Sequence, residues 1–293
     1  MTAMTIFEMG PRDGLQNEVK ALDIATRLTL IEKLRAANCP HIEVGSFVSP
    51  KWVPQMANTD TILKALPHEP FRFPVLVPNM KGLQAAITAG ADHIAVFGAA
   101  SETFSQKNIN CSIAESLERF APVMAMANAE NIRIRGYISC VLGCPYEGEV
   151  PVSGVVEIAE WMLEHGAHDI SLGDTIGVGT AYKARTLIKA IKTVVPVDRI
   201  GLHFHDTYGQ ALANILSCLE EDISIIDASV GGLGGCPYAK GASGNVASED
   251  VVYMLEGLGI NTGIDLDSLI RTGQWIGSVL ERANGSKVGR ARI

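Results

Sequence analysis

Short β-branched runs and amphipathic helical stretches alternate along the whole chain, and this alternation restricts the possible folds more than any other feature. Strand-like runs fall at 5–9, 41–47, 71–77, 93–97, 132–139, 169–172, 200–205 and 225–229. Between them apolar residues recur at the helical period: Leu28, Ile31 and Leu34 in 25–37, Val155, Ile158 and Met162 in 155–165, Ala211, Ile215 and Leu219 in 208–219. An eighth helix is expected near 248–258 and a terminal one near 266–283. Strands separated by helices pair in parallel through right-handed crossovers. Eight such units predict an α/β fold, a closed (β/α)8 TIM barrel over about 4–262 with a short C-terminal helical extension over about 263–293. An open doubly wound sheet is the competing architecture, but no GxGxxG follows the first strand. No low-complexity linker divides the chain, so 1–293 is expected to form a single domain.

Composition removes several classes of function. With 47% hydrophobic and 19% charged residues, a chain of 293 residues can bury a core and need not stay disordered. Apolar runs stay shorter than the roughly 18 residues a membrane helix needs, so no membrane association is expected. The net charge is −8 and the 24 Lys and Arg residues form no basic stripe, so no nucleic-acid partner is expected. The six cysteines are too few and too spread for a disulfide scaffold, and no signal-like segment precedes the first strand. A reducing, cytoplasmic compartment is the expectation.

Polar residues gather where the strands end. Glu8, Arg12 and Asp13 close or follow the first strand, Glu43 lies in the second, Asp174 follows the sixth, and His203 and His205 close the seventh. In a parallel barrel most of these positions share one rim, the face that carries active sites. Residues two apart on a strand point to the same side, so His203 and His205 can face the interior together and chelate one ion. Two separately hydrogen-bonded histidines are the plainer alternative. Asp13 can add a carboxylate oxygen to the same ion, and Arg12 can hold a negative charge beside it. Glu8 and Glu43 sit on otherwise buried strands and need partners; for Glu8 a salt bridge to Arg12 is expected ahead of a catalytic role. Asp206 alternates outward and suits a helix cap near Tyr208.

The segment 231–245 holds six glycines around Cys236 and ends at Asn245. Such a loop can approach a ligand closely and shut out water; a flexible surface loop and a phosphate cradle are the alternatives, the latter without a GxxxxGK[ST] pattern. Cys236 is a candidate acid, base or thiol switch, and Asn245 a candidate amide-oxygen ligand. None of the eight strands carries a lysine, which disfavours Schiff-base chemistry, and no GxSxG supports a serine hydrolase. Cys140 and Cys144 miss CxxC spacing by one residue and read as small core residues.

Taken together, the stretches Glu8-Met9-Gly10-Pro11-Arg12-Asp13-Gly14-Leu15-Gln16-Asn17-Glu18, 135–146 and 231–245 resemble the 3-hydroxy-3-methylglutaryl-CoA lyase family over nearly the whole chain. The glycine loop with its cysteine is the most specific part. The Arg-Asp-Gly and His-Phe-His motifs resemble a wider group of metal-dependent barrels, including isopropylmalate, homocitrate and citramalate synthases and 4-hydroxy-2-oxovalerate aldolase. Met9 departs from the valine more usual in the family.

The resemblance implies a carbon–carbon lyase that cleaves 3-hydroxy-3-methylglutaryl-CoA to acetyl-CoA and acetoacetate through an enolate. It implies a divalent cation, magnesium or manganese, on Asp13, His203, His205 and Asn245. Arg12 would face the thioester carbonyl and Cys236 would be the catalytic thiol, with Glu43, His203 and Asp174 as further catalytic residues. Glu8 would line the substrate pocket with Arg12, and Asn284 and Lys287 would reach the CoA part. The implied partner is an acyl-CoA substrate; barrels of this size often pair through their outer helices, so a dimer or tetramer of the chain is also expected. A related lyase or Claisen-condensing synthase on another acyl-CoA or 2-oxo acid, and a non-catalytic binding barrel, are the competing readings.

Overall fold

The computed structural model describes residues 4–235 and 244–292. Its strands are β1 (Thr5–Glu8), β2 (His41–Ile42), β3 (Gly45–Ser46), β4 (Val75–Leu76), β5 (His93–Ala99), β6 (Arg133–Ser139), β7 (Asp169–Asp174), β8 (Ile200–Phe204) and β9 (Ile225–Ala228). Every pairing between them is parallel, in the order β2-β1-β9-β8-β7-β6-β5-β4-β3. The two ends of this sheet are pieces of one run, 41–46, interrupted at Glu43 and Val44. Across the interruption Glu43 N donates to Glu8 O at 2.9 Å on one side, and Val44 N to Pro74 O at 3.0 Å on the other. The ring therefore closes, and the expected eight-strand barrel is what forms.

Helices follow the strands: α1 (Ile24–Ala36), α2 (Thr59–Ala65), α3 (Met80–Thr88), α4 (Glu102–Ile109), α5 (Ile113–Ala129), α6 (Val152–Glu164), α7 (Ala181–Ile191), α8 (Ala211–Leu219) and α9 (Ser248–Gly257). The C-terminal α10 (Leu266–Leu280) packs on α1 and on the turn after β9, and α11 (Lys287–Ala291) on α9. The helical period predicts the buried stripe of α6 correctly, since Val155, Ile158 and Met162 are all sealed. The expected strand 71–77 shrinks to two residues, with Phe71 in the left-handed region at φ 58°. Asp206 does not cap a helix at Tyr208; α8 starts at Ala211, whose amide donates to Asp206 Oδ1 at 3.0 Å. No helix among the described residues is long and apolar enough to cross a membrane.

Strand alternation sorts side chains into two compartments. Ile6, Ile42, Val44, Val75, Ile94, Ile134, Ile170, Leu172, Leu202 and Ile226 face outward, into the main hydrophobic core beneath the helices. Facing inward is a small apolar set, Phe7, Met9, Ala95, Tyr137 and Ile225. Arg135, Asp169, Ser171, His203 and Asp227 share its parity and are buried with it. The barrel interior is thus largely polar, which is where the chemistry lies. Cys140 and Cys144 are buried, as expected of core residues.

Candidate active site

The first strand-to-helix connection begins with one turn of π-helix over Gly10–Gly14. It lifts Arg12 and Asp13 over the barrel mouth, with Gly14 N donating to Met9 O at 3.0 Å. Gly14 must lack a side chain here, since a Cβ would lie 2.8 Å from both Leu233 Cβ and Ser229 Oγ. That close approach brings the β1 loop against the start of the glycine-rich segment. Across the mouth, β8 delivers His203 inward and the chain continues to His205. Asn245 bridges to His205, and Val246 N donates to Phe204 O at 3.1 Å, so 245–246 lies alongside the end of β8.

Asp13, His203 and His205 converge, each offering one ligand atom within 4.8 Å of the others. Asp13 Oδ2 stands 3.8 Å from His203 Nε2 and 4.0 Å from His205 Nε2. Asn245 Nδ2 donates to the same Asp13 oxygen at 2.7 Å and to Leu233 O at 3.2 Å. Asn245 thus joins the cluster with its nitrogen inward, and a half-turn of the amide exchanges nitrogen for oxygen. Burial and the neighbouring His203 lower the His205 pKa to about 4, so this imidazole is neutral and able to ligate. Burial works against a charged His203, but the hydrogen bond it donates to Asp227 and the charge of Asp13 outweigh it and raise its pKa. Burial likewise opposes ionisation of Asp13, and the charge of Arg12, foremost, with His203 and the Asn245 hydrogen bond, overcomes it, holding Asp13 ionised. A carboxylate and two imidazoles this close form a donor set that fits a divalent cation.

Arg12 is clamped on two sides. Its Nε meets Glu43 Oε2 at 2.6 Å and its Nη1 meets Asp13 Oδ1 at 2.6 Å. Glu43 faces inward because it shares neither the parity of Ile42 nor that of Val44. It is fully buried, its pKa is raised by that burial against the pull of Arg12, and its Oε1 has no hydrogen-bond donor among the described residues.

Two expected site residues lie elsewhere, for one physical reason. Glu8 shares the outward parity of Ile6, and makes no salt bridge to Arg12. It accepts from Gly10 N at 2.8 Å, Val230 N at 2.9 Å and Ser248 Oγ at 2.5 Å, behind the barrel wall. Asp174 shares the outward parity of Leu172. Its carboxylate accepts from Gly179 N at 2.8 Å and Val178 N at 3.2 Å, fastening the loop after β7, while its backbone carbonyl accepts from His205 N at 3.4 Å.

The C-terminal extension does reach the rim. Lys287 Nζ pairs with Asp206 Oδ2 at 2.8 Å, directly after His205, and Gly285 N donates to Gly231 O at 2.8 Å. Asn284 Oδ1 accepts from Ser286 N at 2.8 Å. Cys236 lies outside the described residues. Sequence reading missed Asp227, whose Oδ2 stands 3.1 Å from His203 Nδ1, and Arg135 behind it. For Asp227 the signal was present, a lone charge at an inward position of an apolar strand; Arg135 shares its strand with Arg133 and stands out less.

The sequence profile described as HMGL-like matches residues 3–276. The chain belongs to the HMGL-like family. Within that family it is 54% identical, over 98% of its length and 96% of the relative's, to the 3-hydroxy-3-isohexenylglutaryl-CoA/hydroxy-methylglutaryl-CoA lyase of Pseudomonas aeruginosa. The solved hydroxymethylglutaryl-CoA lyase from Pseudomonas aeruginosa superposes with a TM-score of 0.96, covering 99% of this chain and 97% of that one at 54% identity. An HMG-CoA lyase from Acinetobacter baumannii, solved with coenzyme A and 3-methylmalate, superposes at 0.95 with 32% identity, covering 100% and 97%. The family match runs from the first strand into α10, and the likeness to these relatives covers 98–100% of the chain.

Proposed function

We propose that this chain cleaves 3-hydroxy-3-methylglutaryl-CoA to acetyl-CoA and acetoacetate, using a divalent cation, magnesium or manganese. The observation that carries the reading is the convergence of Asp13, His203 and His205 at the barrel mouth with Arg12 clamped beside them. Asp13, His203 and His205 would hold the cation, with Asn245 as a fourth donor. When bound, a divalent cation supplies Lewis acidity to the tertiary hydroxyl and fixes the substrate through its oxygens.

The chain's own groups do the rest. Arg12 is held at two of its nitrogens, so its charge cannot swing away as the thioester oxygen becomes negative. A fixed donor of this kind is worth about 3–4 kcal/mol to the transition state. Glu43 is sealed beneath Arg12. The Asp13 carboxylate and the His203 imidazole, both at the mouth, are proposed as the candidate proton acceptors. Cys236 is proposed as the acid that protonates the enolate carbon. Lys287 and Asn284 are proposed to meet the CoA portion, supported by the docking of 285–287 on the rim.

Buried free thiols at Cys39, Cys111, Cys144 and Cys218 support a reducing, cytoplasmic setting. A homodimer or homotetramer belongs to the same reading, and sedimentation would measure it. The deciding experiment incubates metal-stripped protein with 3-hydroxy-3-methylglutaryl-CoA and follows acetoacetate as magnesium or manganese is restored. Metal-dependent product supports the reading, and no product with any divalent metal rejects it. The isohexenyl ester run in parallel reports how far the pocket tolerates a longer branch.

A further inference from the structure

Beneath the Asp13–His203–His205 cluster the barrel holds a second set of charges that the proposed reaction does not use. Arg135 is fully buried there. Its Nη1 lies 2.6 Å from Asp169 Oδ1, its Nη2 lies 2.6 Å from Asp227 Oδ1, and its guanidinium carbon sits 3.8 Å from the centre of the Phe7 ring. The other oxygen of Asp227, Oδ2, accepts from Ser171 Oγ at 2.7 Å and faces His203 Nδ1 at 3.1 Å. Both oxygens of Asp227 are therefore committed, one to Arg135 and one to His203 and Ser171.

We propose that Asp227 and Arg135 are positioning residues for His203: Asp227 keeps the imidazole proton on Nδ1 so that Nε2 faces Asp13 bare, and Arg135 fixes which way Asp227 faces. The proposal rests on reading the cluster as a divalent-cation site.

An ionised carboxylate only accepts hydrogen bonds, so the ring nitrogen facing it must carry the hydrogen. A neutral imidazole has one N–H, which leaves the lone pair on Nε2, the atom 3.8 Å from Asp13 Oδ2. Whether His203 ligates the cation or takes a proton, it needs Nε2 in that form. Carboxylate partners of this kind set ring orientation and tautomer at metal sites generally, and their loss costs ~10–100-fold in metal affinity.

Arg135 makes this arrangement unusually sensitive to a single-atom change. Asparagine has the shape of aspartate but only one accepting end. In Asp227→Asn the Arg135 donor requires the amide oxygen on its own side, which turns the NH2 toward His203. Nδ1 must then accept, the proton moves to Nε2, and the ring can neither ligate nor accept at the mouth. A purely space-filling role for Asp227 would leave the tautomer untouched.

The test uses metal-stripped full-length protein, wild type and Asp227→Asn, with 15N-labelled histidine. Ring-nitrogen shifts recorded above the imidazole titration range report the His203 tautomer, Mn2+ alone is titrated with free ion followed by electron paramagnetic resonance, and thermal melts report folding. The expected result is an Nδ1–H ring and Mn2+ binding in wild type, against an Nε2–H ring and ~10–100-fold weaker Mn2+ binding in the variant. An Nε2–H ring in wild type overturns the proposal, as does wild-type Mn2+ affinity in the folded variant. If wild-type protein binds no Mn2+, the cation-site reading fails, and the ring shifts still judge the tautomer. If the variant does not fold, the wild-type shifts decide alone.

Discussion

Arg12 Nε and Glu43 Oε2 stand 2.6 Å apart with their side chains 7% and 0% exposed, tying the loop after the first strand to the interruption in the second. Removing one partner of a buried pair leaves the other charge uncompensated, which costs about 3–5 kcal/mol. Glu43→Ala is expected to lose stability on that scale in denaturant titrations. Turnover should fall with it, because Arg12 then keeps only Asp13.

Arg12→Gln separates electrostatic stabilisation from cation binding. The variant loses the fixed charge at the thioester oxygen but keeps Asp13, His203 and His205 in place. Its kcat is expected to drop roughly 10²–10³-fold or more, with Mn2+ affinity retained in a direct titration. A kcat near wild type would remove Arg12 from the chemistry.

His205→Ala removes a donor that is neutral and aimed at Asp13. Loss of a ligand should cost at least the ~10–100-fold in metal affinity that a supporting residue costs. Isothermal titration with Mn2+ measures it, and unchanged affinity would mark the two histidines as structural.

Stability should fall with rising pH on the alkaline side. Burial raises Glu8 from 4.5 to about 7 and Glu249 from 4.5 to about 8, while both accept hydrogen bonds at the base of the glycine-rich segment. Between 4.5 and those values the folded chain holds protons that the unfolded chain has released. The unfolded state binds fewer protons there, so stability declines as pH rises and levels off above about 8. His41, lowered from 6.5 to about 4 by burial, acts oppositely, because the unfolded chain takes up its proton first. Its contribution grows from about 4 to 6.5 and is then constant. Melting temperature should therefore drop between pH 6.5 and 8, by about 2–4 °C per kcal/mol lost. The drop should shrink in Glu249→Gln; an equal drop in both proteins contradicts the assignment.

Much of this was legible in the sequence, and the failures share a cause. Eight strand runs and the helical stripes between them announce the barrel, because strand and helix periodicities are local. His203 and His205 were legible for the same reason: two positions apart on a strand means one side. Nearness to the rim alone does not say which way Glu8 and Asp174 point; alternation does. Each falls in step with outward neighbours, Ile6 and Leu172, and so ends behind the barrel wall. Alternation applied to 225–229 would have put Asp227 inside with Ile225. Its grip on His203 depends on register between β8 and β9, where His203 pairs with Asp227, and no local pattern encodes that register. The break in the second run at Glu43 and Val44 is equally a product of closure, although alternation alone already turns Glu43 inward.

Anomalous diffraction from crystals soaked in Mn2+ tests the central claim most directly. The account predicts one peak within coordinating distance of Asp13 Oδ2, His203 Nε2 and His205 Nε2, drawing these atoms in from their present 3.8 and 4.0 Å separations. A peak bound elsewhere, or no peak with those three side chains in place and soaking verified, would contradict it.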